Sequence, residues 1–312
     1  MRRSSRPLRI ATRRSRLALV QAESIAAGIR RLSPGLDWQL VPMTSDGDQV
    51  LDHPLSDLGG KGLFTATIEQ ALIKKSADVA VHSLKDMPAD SETAGLTVAA
   101  IPPRAPTEDL LICASASRLE DLPRGATLGT CSKRRAAQAL RLRPDLKIVP
   151  LRGNVQTRLE RVLVDKKMDA TLLAAAGLKR LGIDEPCAHP IPLETVLPAA
   201  GQGALAVQCR LDDHTTLKRC IGLNDTDAAL AAHTERTVVS ALGADCHSPI
   251  AVLCERIEDR LHLRARVLSP EGTTCLESDR TGPIQDAHRL AAEAVEELTG
   301  LGARQILKLA AG

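Results

Sequence analysis

Three arginine-bearing segments stand where the sequence predicts a strand giving way to a helix: TRRS (12–15), GTCSKRR (129–135) and LRGNVQTR (151–158). The start of a helix presents unpaired N–H groups and the positive end of its dipole, and arginine adds a planar fork that grips carboxylates bidentately. One such segment alone reads as a solvated basic helix face. Three at equivalent positions in successive units point instead to a site for a polycarboxylate or a phosphate. A fourth segment, VHSLKDMP (81–88), puts Ser83, Lys85 and Asp86 at the end of an apolar strand, with Pro88 blocking helical continuation. A carboxylate at a cationic strand end is a candidate catalytic group. The competing reading is a turn-forming Asp or a structural ion pair.

GADCHSP (243–249) sets Cys246 beside His247 in a Gly/Pro-bounded loop, where a thiol could be reached. A cysteine hydrolase would need its histidine from a separate segment together with an oxyanion hole, and neither is legible. The other seven cysteines read as small buried thiols, and Cys131 stands apart only because it lies inside GTCSKRR. No CxxC pair or Cys/His spacing suggests a metal site, so no metal is expected. GGKGLF (59–64) imitates a phosphate loop without its spacing.

The elements that must position these groups alternate. A strand at 8–12 precedes a helix from Ser15 with Leu17, Val20, Ile25, Ile29 and Leu32 at helical period, followed by a strand at 38–41. Residues 44–62 are rich in Gly and Asp and read as a mobile surface loop. A helix at 64–74, a strand at 78–83 and a strand at 96–101 complete the first part, and PPRAP (102–106) marks a boundary. The second part repeats the alternation, with strands near 110–114, 148–151 and 170–174 and helices from Ser132 and Asn154. GQGALAVQC (201–209) reads as a Gly-hinged strand returning to the first domain. From Thr226 the order becomes helix, three strands (250–255, 260–268, 274–280), then helices over 284–310, a smaller α+β domain. No internal repeat is visible in the sequence.

Length and composition narrow the classes. The 312 residues suggest two or three domains at about 150 residues each. A net charge of +3 excludes a whole-molecule polyanion binder, and Trp38 and Phe64 as the only aromatics argue against base stacking, so no nucleic-acid partner is expected. The basic start has no apolar core of a signal peptide and the apolar runs are strand-length, which predicts a cytoplasmic chain with no membrane partner.

With IATRRS, GGKGLF, VHSLKDMP, GTCSKRR, LRGNVQTRL, AGLKRLG, LPAAGQGA and DCHSPI in this order, the chain resembles the porphobilinogen deaminase (hydroxymethylbilane synthase) family from about residue 8 onward. The resemblance implies an α/β fold of three domains, the first two like type II periplasmic binding proteins around a central cleft, the third a smaller α+β domain. On this chain they fall at 1–102 plus 201–222, 106–198 and 226–312. It implies head-to-tail condensation of four porphobilinogens with release of ammonia, then hydrolysis to hydroxymethylbilane, which passes to uroporphyrinogen III synthase. The enzyme is expected to be a monomer. The primer it implies is a dipyrromethane cofactor in thioether linkage to Cys246, with Asp86 as the catalytic aspartate. Acetate and propionate groups fall to Arg13, Arg134, Arg135, Arg152, Arg158 and Arg180, other polar cleft positions to Ser15, Ser83, Lys85, Thr130 and Ser132, and the loop to Lys61 and Phe64. A non-enzymatic anion-binding protein on the same scaffold could share the arginines, but would have no reason to keep Asp86 and Cys246 together. The chain departs from many relatives at Cys131 (serine), Asp46 (arginine), Gln208 (glutamate) and Ala244-Asp245 (Gly-Gly).

Overall fold

The computed structural model describes residues 6–44, 65–89, 93–245 and 247–311. In chain order the first stretch gives β1 (Leu8–Arg13), α1 (Arg16–Leu32), β2 (Trp38–Met43), α2 (Ala66–Ile73), β3 (Val79–Ser83) and β4 (Leu96–Ala100). Next come β5 (Asp109–Ile112), β6 (Thr127–Gly129), α3 (Lys133–Leu142), β7 (Lys147–Val149), α4 (Val155–Leu163), β8 (Ala170–Ala174), α5 (Ala175–Leu181) and β9 (Ala188–Pro190). The remainder gives β10 (Leu205–Arg210), α6 (His214–Ile221), α7 (Thr226–Ala241), β11 (Ile250–Ile257), β12 (Arg260–Leu268), β13 (Cys275–Pro283), α8 (Ala287–Gly300) and α9 (Ala303–Ala311). The chain is thus of mixed α/β class. Among the described residues no helix is long and apolar enough to cross a membrane.

Two compact units form, one from Met1–Arg104 with Ala204–Ala229, the other from Ala105–Gly203 with Leu230–Gly312. The first unit holds a five-stranded sheet in the order β2-β1-β3-β10-β4, with β10 antiparallel to both neighbours. Its central strands are apolar on both faces, as a doubly covered sheet requires. Leu8, Ile10, Val79, Val81, Leu205 and Val207 pack with Ile25 and Ile29 of α1 on one face. The intervening Ala11 and Ala80 meet Ile68 and Leu72 of α2 on the other. Just before β3, Asp78 ties together one end of the central strands, accepting from Arg9 at 3.0 Å, from Arg6 at 2.9 Å and from Arg210 at 3.5 Å.

The second unit contains a five-stranded sheet in the order β7-β6-β8-β5-β9, with β5 antiparallel to both neighbours. The two sheets share one plan, three parallel strands and then an antiparallel strand inserted before the last. This repetition of topology is invisible in the sequence because burial constrains residue class and period but not identity. The same unit carries an antiparallel sheet, β11-β12-β13. Inward and outward residues alternate along β12, as expected for a sheet covered on one face. The strands β6 and β9, at three residues each, and the helices α5 and α6 were not foreseen from sequence.

Candidate active site

In the first unit, β1 ends at Arg13 and α1 begins three residues later. Ser15 caps that helix, extended at φ −63° and ψ 144°, and its hydroxyl accepts from the Ala18 N–H. Parallel to β1, β3 ends at Ser83 and turns through a single 3₁₀ turn, Leu84–Asp86, held where Leu84 N–H donates to Ala204 O at 3.1 Å. Two parallel strand ends therefore deliver Arg13, Ser15, Ser83 and Asp86 to one open pocket. Lys85 lies in the same turn, half-buried, but does not line the pocket.

Three further polar residues line it that sequence reasoning did not select: Gln21, Thr65 and His82. Gln21 Nε2 donates to Ser83 Oγ at 3.2 Å and fixes that hydroxyl. His82 is buried, 3.0 Å from Gln208 Oε1, and Gln208 Nε2 donates to Glu69 at 2.8 Å. With the Gln208 amide oriented by Glu69, His82 Nε2 must carry the proton. Burial pushes the imidazole pKa down, against the opposing pull of Glu69, Gln208 and Asp86. His82 was readable only as the polar member of an otherwise apolar strand, VAVHS.

In the second unit, β6 leads into α3 through Thr130, Cys131 and Ser132. Thr130 is buried, its Oγ1 accepts from the Ser132 N–H at 3.1 Å, and Ser132 caps α3 by accepting from the Arg135 N–H; Cys131 is exposed. Arg134 and Arg135 turn inward onto Asp109, at 2.8 and 2.6 Å. Burial lowers the Arg134 pKa, while Asp109 opposes the shift. Asn154 caps α4, and Gly153, at φ +117°, makes the turn that precedes it. Arg158 Nε donates to Gly153 O at 2.9 Å, and the Arg152 carbonyl accepts from Arg161 at 3.4 Å, so both expected arginines share one turn. Arg180, near the end of α5, donates to Gly203 O at 2.6 Å, and burial pulls its pKa down to about 10.

Cys246, Lys61 and Phe64 lie outside the described residues, as do Asp46 and the rest of the expected loop from 45 onward. Among the described residues nearby, Asp245 Oδ1 accepts from His247 N–H at 2.9 Å and from Ser248 Oγ at 2.7 Å, contacts that a glycine could not make.

A family model for the porphobilinogen deaminase dipyromethane cofactor binding domain matches residues 8–218, and one for the porphobilinogen deaminase C-terminal domain matches residues 229–300. The chain belongs to the porphobilinogen deaminase family. A porphobilinogen deaminase of Syntrophotalea carbinolica is 43% identical over 304 residues, covering 97% of this chain and 96% of that relative. Among solved structures, the methionine-binding protein MetQ is similar at 14% identity and a TM-score of 0.42, covering 73% of this chain and 94% of its own. YhfZ from Shigella flexneri follows at 20% and 0.36, covering 74% and 96%. The family rests on the sequence relationship and owes nothing to these distant likenesses. As a porphobilinogen deaminase family enzyme the chain is a transferase of tetrapyrrole biosynthesis that condenses porphobilinogen, and its first 218 residues carry the family's dipyrromethane-binding domain. The donor set suits that group: a carboxylate for pyrrole N–H, and guanidinium, hydroxyl and helix-start donors for its acidic side chains. The buried Arg180, whose pKa shift comes from desolvation alone, fits an anionic ligand too.

Proposed function

We propose that this chain is a hydroxymethylbilane-forming porphobilinogen deaminase in which Asp86 is the catalytic group and Cys246 the attachment point of the dipyrromethane. The observation that carries this reading is the convergence of Arg13, Ser15, Ser83 and Asp86 on one pocket at two parallel strand ends. Porphobilinogen enters with its aminomethyl group already protonated. As ammonia leaves, the C–N bonding pair departs with nitrogen and a cationic azafulvene remains on the substrate. The Asp86 carboxylate, placed against the pyrrole N–H, stabilises that charge as it develops. Arg13 and the capped start of α1 bind substrate carboxylates on the same side. Gln21 holds the Ser83 hydroxyl toward the pocket.

When bound, the dipyrromethane supplies a tethered pyrrole with a nucleophilic α-carbon. Its acidic side chains, and those of further pyrroles, fall to the arginines of the second unit, Arg134, Arg135, Arg152, Arg158 and Arg180, with Thr130 and Ser132 beside them. Three domains carry the parts: 1–102 plus 201–222 the catalytic aspartate, 106–198 the arginines, and 226–312 the cysteine. The enzyme acts as a cytoplasmic monomer whose product passes to uroporphyrinogen III synthase. Intact mass and peptide mapping test the assignment. Purified protein should carry an excess of two condensed pyrrole units on the Cys246 peptide, and Cys246→Ser should be folded without it. An adduct on Cys131, or none on active enzyme, would overturn the attachment site.

A further inference from the structure

Asp109 opens β5 and is wholly buried. Its Oδ2 accepts from Arg134 Nη2 at 2.8 Å, and its Oδ1 accepts from Arg135 Nη2 at 2.6 Å and from Gln202 Nε2 at 3.0 Å. Two guanidiniums thus share one carboxylate, away from water, at residues only 4% and 6% exposed. The two are not equivalent. Arg134 spends its other terminal nitrogen on Leu197 O at 2.6 Å, and Gln138 clamps the same residue, accepting from Leu197 N–H at 2.9 Å. Arg134 is therefore tied into the protein at both Nη atoms. Arg135 keeps a buried Nε–H with no partner.

Leaving a buried N–H unpaired costs its full desolvation, more when the group is charged, and two buried cations on one anion leave charge that a second anion would offset. We infer that Asp109 is a positioning residue. It anchors Arg135 by Nη2 so that Nε–H is presented to a carboxylate of the porphobilinogen substrate or of the dipyrromethane, while Arg134 braces the anchor against Leu197. This rests on the reading that Arg135 faces a carboxylated pyrrole, and it divides the work of two adjacent arginines that sequence treats alike. Asp109 touches no pyrrole; it acts through Arg135.

A double-mutant cycle on the holoenzyme tests it, with Asp109→Asn, Arg135→Lys and the pair, reading pyrrole mass per chain and KM against kcat for porphobilinogen. Each single variant should raise KM at least tenfold or cut pyrrole loading to a tenth. In the pair, adding Asp109→Asn to Arg135→Lys should change neither quantity more than threefold. Multiplicative losses would overturn the positioning role and leave Arg135 as a ligand, whereas an Arg135→Lys enzyme with normal KM and loading would overturn the ligand reading itself. Should Asp109→Asn not fold, the wild-type Nε–H proton decides by NMR, assigned by its loss in Arg135→Lys. It should be shifted downfield and protected from exchange in the holoenzyme or on saturation with porphobilinogen; a solvent-exchanging, unshifted proton in both states refutes the proposal.

Discussion

In the proposed mechanism Asp86 has the least redundant role of any side chain in the pocket, because only a carboxylate can meet both a pyrrole N–H and a developing positive charge. Asp86→Asn keeps the size and the turn but removes the charge. The expected result is a kcat about a hundredfold to a thousandfold lower, with KM for porphobilinogen changed only a few-fold, measured by steady-state kinetics on fully loaded enzyme. Much of this pocket was readable from residue type and strand-end position, as Arg13, Ser15, Ser83 and Asp86 show. His82 and Gln21 of the same pocket were not, nor was Asp109 of the second unit. Their importance lies in partners far along the chain, such as Gln208 at 126 residues from His82, and nothing local in sequence records such a pairing. For Asp109 the available signal was a charged residue at the head of a fully buried strand, DLLI. A buried charge demands a partner, so that pattern alone announces cations nearby.

At the scale of elements, the β/α alternation was legible because long helices and buried strands impose a period or an apolar run, as in α1 with Ile25 and Ile29 and in β3. The elements missed were short. β6 and β9 have three residues each, too few for a period to emerge, yet Leu128 of β6 sits fully buried between β7 and β8. The ion-pair cluster around Asp78, at one end of the first unit's central strands, makes a test at this scale. Burial alone would raise the Asp78 pKa, but hydrogen bonds and charge from Arg9, with charge from Arg6, outweigh it and leave the carboxyl below its ordinary value. A folded pKa depressed in this way contributes stability above the unfolded value of about 3.9, and that contribution is lost as pH falls through the folded pKa. Asp78→Asn should therefore destabilise the protein by about 3 kcal/mol at pH 7 and by progressively less below about pH 4, as denaturant titrations at stepped pH would record. A difference constant with pH would remove the ion pair from the account.

For the whole molecule the decisive places are the first two of the three where the chain passes between its compact units, after Arg104 and after Gly203. Gly203 has φ +84°, a Cβ there would sit 2.3 Å from Ala105 O, and its carbonyl receives Arg180. Gly203→Ala should cost at least ~2 kcal/mol and lower Tm by roughly 4 °C or more in calorimetry, whereas Gly300→Ala, with open space around it, should leave Tm nearly unchanged. The return strand β10 has a further consequence for the order of events during synthesis. It lies between β3 and β4, so the first sheet cannot close until residues 205–210 have been made, more than 100 residues after β4. The five-stranded sheet of the second unit, by contrast, draws all its strands from 109–190 in one uninterrupted stretch. At about 5–20 residues per second, a ribosome holds β4 without its partner for roughly 5–20 s. The five-stranded sheet begun first is thus completed after the five-stranded sheet begun second, and in that interval β3 and β4 are edges that the nascent chain must keep from other strands.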